Sequence, residues 1–175
     1  MKVLEEIKGV DIYLLDQLMK ENISSKDRIL DAGCGSGRNL SLFLKNDWNA
    51  VGIDPNQKAI HNLQDRFPKS SKDLIISSVE DFEDSFGFNV IVCNAVLHFA
   101  QDHNHFDAMF ESLNRNLRKG GLLFIRMTSD IGLNIEKRNS SGVYLLPDAS
   151  TRYLITKSKI EDLLQKYPLR LEEPI

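Results

Sequence analysis

The chain has 175 residues, 42% hydrophobic and 27% charged, with 22 basic and 25 acidic side chains and a formal net charge of −3. That size and balance suit one soluble globular domain, and no Lys/Arg run marks a nucleic-acid or membrane-surface binder. The longest apolar stretch, Val90 to Ala100, is too short to span a bilayer and is interrupted by Asn94 and His98.

The start, MKVLEEIKGVD, lacks the apolar core of a signal peptide. Ile12, Leu15, Leu18 and Met19 then fall on one face of a helix near residues 10–21, within a helical cap expected over 1–27. Arg28 to Asp31 reads as a short buried strand, and Leu40, Phe43 and Leu44 return to helical spacing. Ala50 to Asp54 is a second strand, 55–66 a helix with Ile60 and Leu63 inward, and Leu74 to Ser77 a third strand. Asn89 to Cys93 is a continuous apolar run of the kind buried on both faces. Phe106, Met109, Phe110, Leu113 and Leu117 give a long helix, which Lys119-Gly120-Gly121 is expected to stop before a fifth strand, Leu122 to Met127. Residues 128–156 are loop-rich and long for a plain connection, which predicts a lid or acceptor segment anchored by Tyr144, Pro147, Arg152 and Tyr153. A last helix carries Ile160, Leu163 and Leu164. Strands alternating with helices predict a parallel sheet covered on both sides, in one α/β domain over 1–175.

The sharpest feature is ILDAGCGSGRNL, residues 29–40. A strand followed by alternating glycines and a helix brings backbone close to a ligand where side chains would block it. A tight turn needs fewer glycines than Gly33, Gly35 and Gly37 provide. The dinucleotide fingerprint G-x-G-x-x-G does not fit, because the third glycine comes one position early and Arg38 takes its place. Asp31, at the strand end, would repel a pyrophosphate by roughly a kcal/mol or more and attract a cation. Asp54 ends the second strand 17 positions after Gly37, where a carboxylate accepts from ribose hydroxyls. A nucleoside without pyrophosphate, carrying an amine and a sulfonium, satisfies both acids, and S-adenosylmethionine is such a ligand.

From Asp31 to Asp54, and in element order over about 10–170, the chain resembles the class I S-adenosylmethionine-dependent methyltransferases. The stretches CGSGRN and NAVLHF are similar to those of small bacterial members of the tellurite-resistance type. The resemblance implies a Rossmann-like three-layer sandwich, mostly parallel, with sheet order 3-2-1-4-5, a sixth strand starting near Leu169-Arg170-Leu171 and a reversed seventh; with the sequence given ending at Ile175, either the sheet is one strand short or the chain lacks its natural end. It places Asp31, Gly33, Cys34, Gly35 and Gly37 around the methionine moiety, Asp54 on the ribose and Pro55 against adenine. Val79 would present a backbone group to adenine, with Glu80 or Ser78 as the polar contact. Asn94, Ala95 and Val96 would lie beside the transferred methyl. NAVL departs from the Asn/Asp-Pro-Pro-aromatic signature of many amino-group methyltransferases acting on nucleic acid or glutamine, which lowers those substrates.

Methyl transfer asks the protein mainly for alignment and exclusion of water. His98, four residues beyond Asn94, is the candidate base, since an imidazole pKa of about 6.5 suits proton removal; packing at the next helix start explains it equally well. Asp102, His103 and His105 read as polar residues of a helix start and not as a metal set. Arg126 is expected to pair with an acid, and Arg38 either to hold the methionine carboxylate or to pair with a neighbour. Tyr13 is a candidate cover residue. Cys34 and Cys93 read as small packing residues beneath the site and imply a reducing, cytoplasmic setting. The expected partner is a small-molecule methyl acceptor. A non-catalytic S-adenosylmethionine-binding module, a nicotinamide-dependent oxidoreductase and a macromolecular methyltransferase remain the alternatives.

Overall fold

A computed structural model describes residues 7–132, 139–146 and 148–173; Pro147, expected to anchor the long segment, lies outside them. Five strands form one parallel sheet: β1 (Ile29–Ala32), β2 (Ala50–Asp54), β3 (Leu74–Ile76), β4 (Phe88–Asn94) and β5 (Leu117–Arg126), in the order β3-β2-β1-β4-β5. The helices are α1 (Ile12–Met19), α2 (Leu40–Lys45), α3 (Gln57–Arg66), α4 (His103–Asn116) and α5 (Lys157–Lys166).

Period-two alternation sorts the core into two layers. Ile29, Ala50, Val90 and Val92 face α1, α2 and α3, packing with Leu14, Leu40, Phe43, Ile60 and Leu63. Leu30, Ala32, Val51, Ile53, Ile91 and Cys93 face the other way, against Phe106, Met109, Phe110 and Leu163 of α4 and α5. Burial on both faces explains why the central strands read as apolar runs.

The helix starts follow their caps. Asp11, Asn56, Asp102 and Thr156 each accept a backbone N–H from the first turn of the helix they precede, satisfying a donor that has no intrahelical partner.

Two expectations are corrected. Lys119-Gly120-Gly121 does not stop the long helix, which ends at Asn116. The strand already begins at Leu117, opposite Phe88, and the register then shifts so that Val90 meets Leu122. The glycines lie in that irregularity, with Gly120 at φ +76°, the role a left-handed glycine takes in a bulge. The second correction concerns 128–156, which holds a hairpin of its own, β6 (Val143–Leu145) with β7 (Thr151–Tyr153). Its base is closed by Ile155, whose N–H donates to Thr128 O while its carbonyl accepts from Asp130 N–H.

Among the described residues, 169–173 add no strand to the sheet. Tyr167 and Leu169 pack in the α4/α5 layer, while Glu173 accepts from Gln17 and Lys20 on α1. The tail thus runs from one face of the sheet to the other.

Candidate functional site

In this order the chain leaves β1 towards β2 on one side and returns through β4 on the other, so a crevice opens at the carboxyl ends of β1 and β4. Register brings the polar strand ends there together. Asp31 lies opposite Gly52 and Val92, and Asn94 opposite Arg126. By alternation Asp31, Asp54, Asn94 and Arg126 share the face that carries α1, α2 and α3.

Asp31 is buried at 3% exposure. Burial pushes its carboxyl up to about 7, against the pull of the Leu40 amide and the Arg38 charge, and Asp54 adds repulsion. A nearby cation would favour its charged form. Asp54 accepts from the N–H of Gly35 and of Asn56, each at 2.8 Å. Two such bonds leave further lone-pair sites on a carboxylate.

The glycines divide the work. Gly33 has φ +77°, and a Cβ there would run into Val96 beyond β4, so this glycine lets the two loops meet. Gly37, at φ +80°, is backed by Leu63 of α3. Gly35, at φ +53°, has nothing within 4 Å of where its Cβ would stand. Its bare backbone therefore borders open space beside Asp54. The N–H groups of Gly33 and Cys34 are spent on Ile53 O at 2.8 and 2.9 Å, and the Cys34 thiol turns inward beside Gly52. Burial raises both thiols, Cys93 to about 12, so both are packing groups and poor nucleophiles at neutral pH.

Beyond β4, Ala95 adopts φ +60°, and its N–H donates to Arg126 O at 2.8 Å. A non-glycine residue in the left-handed region is strained unless its surroundings hold it. Four buried side-chain polar atoms have no hydrogen-bond partner among the described residues, and three of them belong to this stretch: Asn94 Oδ1 and Nδ2, and His98 Nδ1. Burial, then the Arg152 charge, pushes the His98 imidazole below its ordinary value, so it is neutral at pH 7. Its ring meets Phe99 edge-on at 4.4 Å.

The adenine-side residues are spread differently. Pro55 is exposed and Val79 buried. Glu80 Oε1 lies 3.3 Å from His105 Nε2. Because Gln101 N–H donates to His105 Nδ1 at 3.2 Å, the network assigns the ring proton to Nε2. Ser78 Oγ donates to Asp81 at 2.7 Å. Asp102 caps α4 through the His105 N–H, as expected of a helix start.

One residue that the sequence left without a role closes the site. Asp11, whose side chain is fully buried, pairs with Arg126 and lies 3.8 Å from Arg38. Its burial alone would raise the carboxyl, but bonding with Asn94, Arg126 and the Tyr13 N–H outweighs that and holds it below the usual range. Asn94 is thus drawn towards Asp11 without well-formed hydrogen-bond geometry. Tyr13, exposed on α1, covers the Arg126 guanidinium at 5.1 Å. An Asp before a helical run signals a cap; nothing in sequence shows that it also turns inward.

A methyltransferase-domain family model matches residues 11–173. The chain belongs to this methyltransferase family. It is an S-adenosylmethionine-dependent methyltransferase with the Rossmann-like α/β fold expected above. The residues fit that cofactor: a buried acid with no salt bridge among the described residues, a second acid at the next strand end, and at Gly35 a Cβ-free backbone facing open space beside that second acid. Solved structures share the methyltransferase fold. A Pyrococcus horikoshii OT3 protein is 17% identical, with TM-score 0.66 over 89% of this chain and 79% of its own. An S-adenosylmethionine-dependent methyltransferase from Methanosarcina mazei is 21% identical, with TM-score 0.65 over 85% and 82%. Another from Clostridium acetobutylicum ATCC 824 is 14% identical, with TM-score 0.62 over 87% and 84%. No curated protein matches the chain in sequence. No helix among the described residues is long and apolar enough to cross a membrane.

Proposed function

We propose that this methyltransferase acts in the cytoplasm on a small-molecule acceptor, seated over the carboxyl end of β4, with the methyl passing by in-line displacement. The observation that carries the reading is a pair of buried acceptor atoms without a hydrogen bond among the described residues, Asn94 Oδ1 and His98 Nδ1, beyond the carboxyl end of β4. A buried polar atom left unbonded costs about 1–3 kcal/mol, which favours a ligand that completes it.

S-adenosylmethionine supplies an electrophilic methyl on a sulfonium. Asp31 pairs with its amine and Asp54 with its ribose hydroxyls. Gly33, Cys34, Gly35 and Gly37 give the close backbone approach, and Pro55, Val79 and Glu80 border the base. Asn94 orients the reacting groups, and neutral His98 takes a proton from an acceptor oxygen or nitrogen, at the atom its burial leaves unpaired. The hairpin of β6 and β7, within the segment 128–156, covers the acceptor and excludes water. The whole chain works as one domain.

Thermal unfolding with S-adenosylmethionine, S-adenosylhomocysteine and NAD(H), each in excess, tests the cofactor side. A ligand at a hundred times its Kd adds about 2.7 kcal/mol, several degrees for a domain of this size. The adenosyl compounds alone are expected to shift the transition; a shift with NAD(H) alone overturns the reading. Once an acceptor is found, His98→Gln is expected to lower kcat by roughly 10²-fold or more, and an unchanged pH–rate profile removes the base.

A further inference from the structure

We propose that Arg152 recognises an anionic group, a carboxylate or a phosphate, on the methyl acceptor. This rests on the placement of the acceptor over the end of β4, and it adds the chemical class that the site selects.

Arg152 is delivered to that place by a clamped element. Its neighbour Tyr153 is 1% exposed, stacks on Phe106 of α4 at 4.7 Å and 14°, and places its hydroxyl 2.8 Å from His103 Nδ1. Gly142, at φ +86°, lets the hairpin backbone press against these two rings, since a Cβ there would stand 2.7 Å from Tyr153 and 2.8 Å from His103. Leu154 N–H donates back to Gly142 O at 3.3 Å. Strand alternation then turns Arg152 away from the buried Tyr153, to lie over Phe99 at 4.8 Å. Phe99 meets the ring of His98. The guanidinium is therefore fixed beside the candidate base, on an aromatic platform, by packing that the hairpin supplies.

Its hydrogen-bonding capacity is mostly unused. Nη1 donates to Thr151 O at 2.7 Å, and among the described residues no hydrogen bond engages Nε or Nη2 and no salt bridge holds the charge. Asp148, the acid that feels Arg152, spends one carboxylate oxygen on Ser150 N–H and Oγ at 3.0 and 2.6 Å. Arg126, by contrast, is paired with Asp11, and Arg38 lies 3.8 Å from the same carboxylate. A planar fork stacked on a ring keeps its edge donors in plane, the geometry that accepts a carboxylate or phosphate in bidentate fashion. An anion there places the rest of the acceptor beside His98 and the exposed ring of Phe99, which is 58% accessible.

The test uses benzoate and phenyl phosphate, each against neutral benzamide, titrated into the protein with and without S-adenosylhomocysteine. The readouts are calorimetry and the NMR signals of the His98 ring. At least one anion is expected to bind roughly tenfold or more tighter than benzamide and to move the His98 signals. Whichever anion wins separates carboxylate from phosphate recognition. Arg152→Gln is expected to abolish the preference, and Arg152→Lys to restore part of it, both keeping the wild-type melting temperature. Equal binding of anions and benzamide, or a preference that survives Arg152→Gln, overturns the proposal. Loss of S-adenosylhomocysteine binding would count against the cofactor reading instead, because the anion preference is read without it as well.

Discussion

Asp31, proposed above to hold the cofactor's amine, also weakens the fold that carries it. Its carboxyl is raised from an unfolded value of about 3.9 to about 7 in the folded chain, by burial first. Stability from such a group is complete below the unfolded value and is lost as pH rises through the folded one. A shift of that size corresponds to a penalty of about 4 kcal/mol above pH 7. Asp31→Asn, which still offers an acceptor to the Leu40 amide, is therefore expected to melt several degrees higher at pH 8, with the gain shrinking towards pH 4. The same variant is expected to lose S-adenosylmethionine binding. In the wild type, a cation beside Asp31 must draw off its proton, so affinity is expected to weaken as pH falls below about 7. Calorimetric melts and ligand titrations at pH 5 and pH 8 measure both. A variant that melts no higher at pH 8, or that binds as tightly as the wild type, would remove the role assigned to Asp31.

Between β1 and α2, two glycines of the same loop should fail in opposite ways when replaced by alanine. Both have positive φ, which costs an L-residue roughly 1–2 kcal/mol. At Gly37 the new Cβ also meets Leu63 Cδ2 at 2.5 Å and Ser41 Oγ at 3.1 Å, so Gly37→Ala is expected to lose about 2–4 kcal/mol in denaturant melts. At Gly35 nothing stands in the way. Gly35→Ala is expected to cost only the backbone share, yet to lose most of the cofactor affinity as its methyl enters the ligand's space. If Gly35→Ala binds normally, the open side of the loop is not the ligand side. This loop was legible in sequence because alternating glycines and two strand-end acids need no tertiary context. The three central strands, β1, β2 and β4, were legible too, since burial on both faces writes itself as apolar runs. The hairpin within 128–156 was not, although Val143-Tyr144-Leu145 and Thr151-Arg152-Tyr153 have strand-like composition; pairs of three residues fall below what periodicity detects. The early start of β5 at Leu117 was hidden for another reason. Phe88 across the ladder, and not local propensity, decides where that helix turns into strand.

At the scale of the molecule, Asp11 joins parts far apart in the chain: the start of α1, the turn into α2 through Arg38, the end of β4 through Asn94 and the end of β5 through Arg126. The tail reaches the same helix from the other face, through Glu173 on Gln17 and Lys20. α1 is thereby tied down from both sides of the sheet, and its first turn stays over the site. Asp11 also titrates with the opposite sign to Asp31. Its folded pKa is depressed, so its stabilisation is present above the unfolded value of about 3.9 and is lost as pH falls through the folded one. Asp11→Asn keeps a good helix cap and removes only the charge. It is expected to cost about 1–3 kcal/mol at pH 7, a deficit that fades as pH falls through the depressed folded value and the wild-type carboxyl takes up its proton. Because the pair holds an element and not one side chain, hydrogen exchange should quicken across Leu14–Met19 while β1 and β4 keep their protection. Arg126→Gln alone and combined with Asp11→Asn completes the cycle, and the two losses are expected to fall short of adding. Full additivity, or a deficit that stays constant over the whole acid limb down to acid unfolding, would show that Asp11 acts as a local cap and that α1 is held over the site by its apolar face alone.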